Sequence, residues 1–256
     1  MKKLLILLFS AALLGTGSGC KPGGVDPGSP QAEAGVVTGR VVDAQGRPVA
    51  GAEIVASNTD WFNKTTTGYT DARGTYRFKL PTGVAEGSYT ASGTVTVKYH
   101  GRTYKLALYE ENSRVFSAYD GAVRDFVFRL TGKRTADSDD DPARDLPLGG
   151  TLEVHHQVDE VVWENLEITL EPVGALIDGS TGQKLVRTMP AADYRLYDIP
   201  LGQYKITARD RVTGQPLNVT IKDSAKPFAS SVTTLFNEKD FAGDTRYELL
   251  LLVEAR

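Results

Sequence analysis

The sequence predicts an all-β chain, with two antiparallel β-sandwich modules in tandem behind a secretory signal and a flexible tether. Three observations carry this expectation. From Val36 to the carboxyl end, apolar residues recur with a period of two, and no stretch carries a helical period. Glycine and proline signals break the runs at short intervals, as sandwich turns require. A tyrosine, proline, glycine, tyrosine order occurs once in each half of the chain.

The amino end reads MKKLLILLFSAALLGTGSGC: two lysines, an apolar run from Leu4 to Leu14, then small residues up to Cys20. This is the layout of a secretory signal over residues 1–19. The apolar run falls short of the roughly 20 residues that a membrane-spanning helix needs. Gly17-Ser18-Gly19-Cys20 resembles the lipobox of bacterial lipoproteins, with Gly17 where that family prefers leucine. The resemblance implies cleavage before Cys20, a diacylglyceryl group on its thiol and an acyl chain, such as palmitate, on the new amino terminus. Only a thiolate serves as nucleophile in that step, and Cys20 is the one cysteine in the chain. The alternative is an ordinary signal cut nearby, which would leave a free thiol. Several acyl chains hold a protein far more firmly than one. Lys21 after the cysteine resembles the outer-membrane sorting pattern of enteric bacteria, so the expected location is the cell envelope, and the outer membrane in a host with two membranes. Residues 20–35, rich in glycine, proline and small polar side chains, form a tether with no apolar period.

The first module is expected over residues 36–132. Tyr89, Ala91, Gly93, Val95, Val97 and Tyr99 fall on one face of a strand, and Thr90, Ser92, Thr94, Thr96 and Lys98 on the other. Further strands are expected over Ala52 to Ser57, Thr75 to Leu80, Arg102 to Tyr109 and Asp125 to Leu130. Turns are expected at Gln45-Gly46 with Pro48, at Arg73-Gly74 and at His100-Gly101, where glycine supplies positive φ.

The strings GRVVDAQGRPVAGAEIVAS (Gly39 to Ser57), TDARGTYRFKLPTG (Thr70 to Gly83) and GSYTASG (Gly87 to Gly93) together resemble the carboxypeptidase regulatory-like domain, one of the transthyretin-like (prealbumin-like) sandwiches. The resemblance implies that these residues are scaffold. Asp43, Gly46 and Pro48 would shape the first hairpin, Gly51-Ala52 would open the next strand where a side chain would clash, and Gly74 would turn the chain before Tyr76 and Phe78. It also implies membership of a group often described as carbohydrate-binding-like.

Residues 133–146 read as an acidic linker. Asp137, Asp139 and Asp141 alternate as at the start of a calcium loop, but Pro142 stands where such a loop needs glycine and no glutamate closes it. A solvated linker is the simpler reading.

The second module is expected over residues 147–256. Leu166, Ile168 and Leu170 alternate with polar residues, as do Tyr204, Ile206 and Ala208, and Leu217, Val219 and Ile221. YRLYDIPLGQYKITA (Tyr194 to Ala208) lies over YRFKLPTGVAEGSYTASG (Tyr76 to Gly93) in the order of its tyrosines, proline and glycine, so this module is a divergent relative of the first. The continuous apolar run Leu249 to Val253 predicts a central strand buried on both faces.

The chemistry-bearing residues are few. His155 and His156 are adjacent in a strand and point to opposite faces, so they share one metal only if the strand bulges, and a half-exposed strand face is the simpler reading. The H-x-x-E pair of true carboxypeptidases and a G-x-S-x-G serine motif are both missing, and the chain ends in Leu-Leu-Val-Glu-Ala-Arg rather than the Tyr-Arg-Gly-Ser of transthyretin-related hydrolases. No catalytic residue, metal site or cofactor is therefore expected. A formal charge of −3 with no basic stripe argues against nucleic acid. Candidate ligand contacts are Trp61 and Phe62, adjacent aromatics in a polar loop where Trp61 would suit a sugar ring, together with Tyr109 and Trp163; Tyr119 shares the ambiguity. Each could instead cap the core. The expected role is that of a membrane-anchored envelope lipoprotein acting as a non-catalytic binding or structural module, partnered by the membrane and by an envelope protein or a glycan. A carbohydrate-binding lipoprotein of a glycan-uptake system and an enzyme of unrecognised type are the alternatives.

Overall fold

The computed structural model describes residues 31–60, 64–81, 87–156, 161–241 and 244–256. Cys20, the signal and most of the tether lie outside these residues, as do Trp61 and Phe62. No described helix is long and apolar enough to cross a membrane.

Module 1 is a sandwich of β1 (Val36–Asp43), β2 (Glu53–Asn58), β3 (Thr65–Tyr69), β4 (Thr75–Lys79), β5 (Ser88–Tyr99), β6 (Arg102–Ala107), β7 (Tyr109–Glu110), β8 (Phe116–Ser117), β9 (Ala122–Val123) and β10 (Phe126–Phe128). One sheet runs β4-β1-β10-β7, with β9 also on β1; the other runs β3-β2-β5-β6, with β8 on β5. Module 2 comprises β11 (Gly150–His156), β12 (Leu166–Pro172), β13 (Leu185–Thr188), β14 (Arg195–Ile199), β15 (Gln203–Asp210), β16 (Pro216–Ile221), β17 (Val232–Leu235), β18 (Asn237–Phe241) and β19 (Asp244–Glu254). Its β14-β11-β19-β16 and β13-β12-β15-β17 layers join at β16, which pairs with β15 through Pro216 and Leu217 and with β19 through Asn218 to Ile221.

The two modules share one topology. β1 is antiparallel to β4 and parallel to β10, and β11 is antiparallel to β14 and parallel to β19. β2 pairs with β3 and β5, and β12 with β13 and β15. The tyrosine-proline strings thus occupy β4 to β5 and β14 to β15. The extra residue before Pro200 is a β-bulge: Leu152 faces Leu196 but Gly150 faces Ile199, and Asp198 stands in the bulge with φ +58°. A non-glycine residue there needs support from its surroundings.

The alternating face of β5 is realised, with Tyr89, Ala91, Gly93 and Val95 all buried. Two turns of the same sequence form, Asp-Ala-x-Gly, take the same conformation. The carboxylates of Asp43 and Asp71 accept from backbone N–H groups two and four residues on, and Gly46 and Gly74 take φ +78° and +72°. For Asp43, burial raises the carboxyl pKa, but the N–H groups of Arg47 and Gln45 and the Arg47 guanidinium outweigh it and hold the pKa low.

Four expectations need correction. Gly51 sits beside no crowding atom and is required instead by its φ of +72°. The Asp43–Pro48 turn closes a local hairpin, with Val49 N–H on the Val41 carbonyl, but β1 and β2 lie in different sheets, so the chain crosses the sandwich there. The run from Arg102 to Tyr109 is divided at Leu108: its N–H still bonds the Gly93 carbonyl in register with β5, but Tyr109–Glu110 beyond it pairs with β10 in the other sheet. Finally, β19 is central, between β11 and β16, but only Leu249, Leu251 and Val253 are fully buried, whereas Leu250 and Leu252 are half-buried. A sandwich covers each sheet on one face only.

Gly39 lies where β1 meets the segment before β10. A Cβ there would sit 1.8 Å from the Arg124 carbonyl, which accepts the Tyr76 hydroxyl at 2.6 Å. Burial raises the pKa of that hydroxyl and keeps it protonated as a donor.

The acidic segment runs along module 1. The Glu110 N–H donates to the Arg134 carbonyl and the Ala136 N–H to the Glu110 carbonyl. Lys133 pairs with Asp140 and Arg144 with Asp139 and Asp141. The Asp198 carboxylate accepts from the N–H groups of Gly132 at 2.8 Å and Gly149 at 3.2 Å, which ties both ends of the segment to the bulge of β14.

Candidate functional site

Trp163 opens a short 3-10 turn, Trp163–Asn165, that leads into β12. Its indole N–H donates to the Pro190 carbonyl at 3.0 Å, and the ring packs on the core with one side left open. That side faces a groove of about 390 Å³, lined by Trp163, His155, His156, Asp193 and Tyr194. The His156 ring lies 6.0 Å from Trp163 and the His155 ring 5.4 Å from Tyr194. β11 sends the two histidines out on opposite sides, and both reach the groove because it wraps around the strand end.

A charged network supports one wall. Glu153 binds His155 Nε2 at 2.7 Å and Arg195 Nε at 3.3 Å, and the Arg195 guanidinium stacks on Tyr194 at 4.4 Å. Burial raises the Glu153 carboxyl pKa, but the bonds from His155 and Arg195 outweigh it and hold the pKa low. Asp193 accepts from the Tyr197 hydroxyl at 3.0 Å and from the Arg195 N–H at 3.1 Å. Flat aromatic faces beside fixed donors and acceptors suit recognition of a ligand that is apolar on its faces and polar at its edges. Among the described residues, no serine or cysteine lines the groove.

Tyr109 lies elsewhere. It pairs with Val127 on β10, and the Arg129 guanidinium covers its ring at 3.7 Å. Positions 61–63 are flanked by Asp60, whose carboxylate accepts the Ser88 N–H, and by Lys64, whose carbonyl accepts the Asn58 N–H. Ser88 in turn faces Ser117, and the neighbouring Ala118 carbonyl accepts the Gly35 N–H, so Asp60 lies at the same end of module 1 as Gly35. The aspartates of residues 137–145 are taken up by Ser113, Lys133, Arg144 and a backbone N–H, and no described group of three or more His, Cys, Asp or Glu could hold a metal ion.

The seam between the modules is not legible in the sequence. The β5-β6 hairpin of module 1 leans on module 2: the Tyr99 hydroxyl donates to the Ala175 carbonyl at 2.7 Å and accepts the Gln203 N–H at 3.0 Å. Arg102 donates to Asn237 at 2.9 Å, and the Tyr104 hydroxyl to the Phe236 carbonyl at 3.2 Å. The Tyr104 and Tyr247 rings meet at 5.2 Å, and burial pushes the Tyr247 phenol up to about 12. Glu110, which faces inward beside Phe126, was also missed. Strand alternation could have shown it, since Phe126, Phe128 and Leu130 set the inner face of β10 and its partner.

Comparison with known proteins matches residues 36–109 to the carboxypeptidase regulatory-like domain, under a third of the chain. The match covers β1 to β6 and stops before β10, the strand that completes the β1 sheet. No curated protein gives a significant match. Among solved structures, the chain is similar to the Bacillus anthracis TIE protein (15% identity, TM-score 0.30, covering 86% of this chain and 34% of that one). It is also similar to a streptococcal ancillary pilin (11% identity, TM-score 0.26, 84% and 62%). A third similar structure is a B repeat unit of the collagen-binding surface protein of Staphylococcus aureus (11% identity, TM-score 0.25, 87% and 99%). The chain spans about a third of the length of the first of these and under two thirds of the second.

Proposed function

We propose that this chain is a lipid-anchored lipoprotein of the cell envelope, a non-catalytic module that stands off a membrane as one rigid two-sandwich body and offers a recognition surface. The observation that carries the reading is the tyrosine seam. Tyr99, Tyr104 and Tyr247 each bind backbone groups of the opposite module, so the sandwiches behave as a single body rather than as beads on a linker. A carboxypeptidase regulatory-like domain in module 1 supports a non-catalytic role. Anchoring rests on Cys20 and the signal before it. Mass spectrometry of the mature amino terminus from native membranes tests it: a diacylglyceryl-modified Cys20 supports the reading, and an unmodified start downstream of Cys20 refutes it.

A second reading, that the surface binds a carbohydrate, is favoured by the open face of Trp163 beside Tyr194, His156 and Asp193. Retention on a glycan array that is lost in Trp163→Ala, with the fold preserved, supports this reading. Unchanged retention removes it.

A further inference from the structure

The outer edge of β3 presents open backbone groups on an uncharged strand, Thr-Thr-Thr-Gly-Tyr. β3 pairs with β2 from Ser57 opposite Thr65 to Glu53 opposite Tyr69. The bonds from the Asn58 N–H to the Lys64 carbonyl and from the Thr70 N–H to the Ala52 carbonyl bracket this ladder. Bonded and non-bonded pairs alternate along an antiparallel ladder, so Thr66 and Gly68 are the residues that bond β2. The N–H and C=O groups of Thr65, Thr67 and Tyr69 therefore point away from the sheet, and no described residue bonds them. The side chains of these three residues share one exposed face, and Tyr69 is 64% exposed.

Other strand edges of the molecule are guarded in ways that prevent pairing with another chain. The Tyr247 hydroxyl closes β6 at Lys105, and the acidic segment covers β7 at Glu110. β4 carries Arg77 and Lys79, and the Asp71 carboxylate takes its first N–H at Thr75. On β13 the Arg187 guanidinium lies over the Val186 carbonyl at 3.4 Å, and β14 is bent by its bulge at Asp198. β3 has no charged residue, no proline and no bulge.

We propose that two copies of this chain associate through β3, antiparallel and about a twofold axis at Thr67, and so extend the β3-β2-β5-β6 sheet across both copies. In this register Thr67 meets Thr67 of the second copy, and Thr65 meets its Tyr69. Each such pair exchanges two backbone bonds, so every open group of the edge is satisfied at once. The exposed Tyr69 ring gains a neighbour in the Thr65 side chain of the second copy. No like charges face each other along the strand, and Lys64 comes opposite Thr70 of the second copy, one residue from its Asp71. Opposite charges thus adjoin at both ends of the joint. The contact is isologous and uses up both edges, which stops growth at two copies. The inference does not rest on the anchoring or glycan readings.

Sedimentation equilibrium of the chain from residue 20 onward, carrying Cys20→Ser, tests the proposal without lipid or thiol as other causes of association. A reversible monomer–dimer equilibrium is expected. Thr67→Lys and Thr67→Glu each set like charges across the axis from an exposed position that does not bond β2, and each should weaken the dimer at least tenfold. An equimolar mixture of the two should restore association, because opposite charges then meet at the axis. On the chain without either variant, the Thr65, Thr67 and Tyr69 amides should gain protection from hydrogen exchange as concentration rises, so the test stands whether or not the variants fold. A chain that stays monomeric at every concentration overturns the assignment and leaves the edge to a different partner. A dimer that a folded charge variant leaves unchanged, a mixture that associates no better than its parts, or β3 amides with no gain in protection in the dimer also overturns it.

Discussion

The Tyr247 hydroxyl of module 2 binds both backbone groups of Lys105 in module 1, accepting its N–H at 2.8 Å and donating to its carbonyl at 3.1 Å. A strand edge that would otherwise show unpaired groups is closed by one side-chain atom from another module. Tyr247→Phe keeps the ring contact with Tyr104 and deletes both bonds. It is expected to cost about 1–3 kcal/mol and to split a single denaturation transition into two. Chemical denaturation followed by separate probes in each module checks this.

Asp198 combines a left-handed backbone with the clamp on Gly132 and Gly149. Asp198→Gly relieves the backbone and loses the clamp; Asp198→Asn keeps one acceptor oxygen and tolerates the backbone; Asp198→Ala loses both. The expected order of stability is wild type, Asn, Gly, Ala, with Ala lower by about 2–4 kcal/mol. Urea midpoints measure the order.

Two glycines of one motif matter for different reasons. Gly39→Ala drives a methyl into the Arg124 carbonyl and displaces the Tyr76 bond, at an expected cost of at least about 3 kcal/mol. Gly46→Ala meets no neighbour and strains only its φ of +78°, at a cost of about 1–2 kcal/mol. Thermal melts of the pair separate crowding from backbone strain.

The Glu110 carboxyl, ordinarily near 4.5, is raised to about 7 by burial. The folded chain therefore holds this proton more tightly than the unfolded chain does. Its contribution to stability is greatest below about pH 4.5 and is lost as pH rises through 7, a change on the order of 3 kcal/mol. Glu110→Gln should remove that slope and gain on the wild type above pH 7. Urea denaturation at pH 5 and pH 8 reads both effects.

Much of the fold is legible in local pattern, because strand periodicity and Asp-Ala-x-Gly turns are set by neighbours in sequence. The inner face of β5 and the kinship of the β4 and β14 strings needed only alternation and order. The half-covered face of β19 was not legible, since an apolar run looks the same whether one or two layers pack on it. The role of Asp198 depends on glycines 66 and 49 residues away. The seam was equally hidden: Tyr99 and Tyr104 read as ordinary strand residues until module 2 supplies Ala175, Gln203 and Phe236. Trp163 could be singled out as an aromatic near a strand start, but its groove exists only because Asp193 and Tyr194 return beside it in the turn that precedes β14. Cys20, Trp61 and Phe62 lie outside the described residues.

The most direct test of the central claim, that the two sandwiches form one rigid body, is measurement of residual dipolar couplings from both modules in a single aligned sample. Couplings from residues 36–128 and 150–254 should fit one alignment tensor. Two tensors of clearly different magnitude or orientation would show that the modules move independently and would contradict the account.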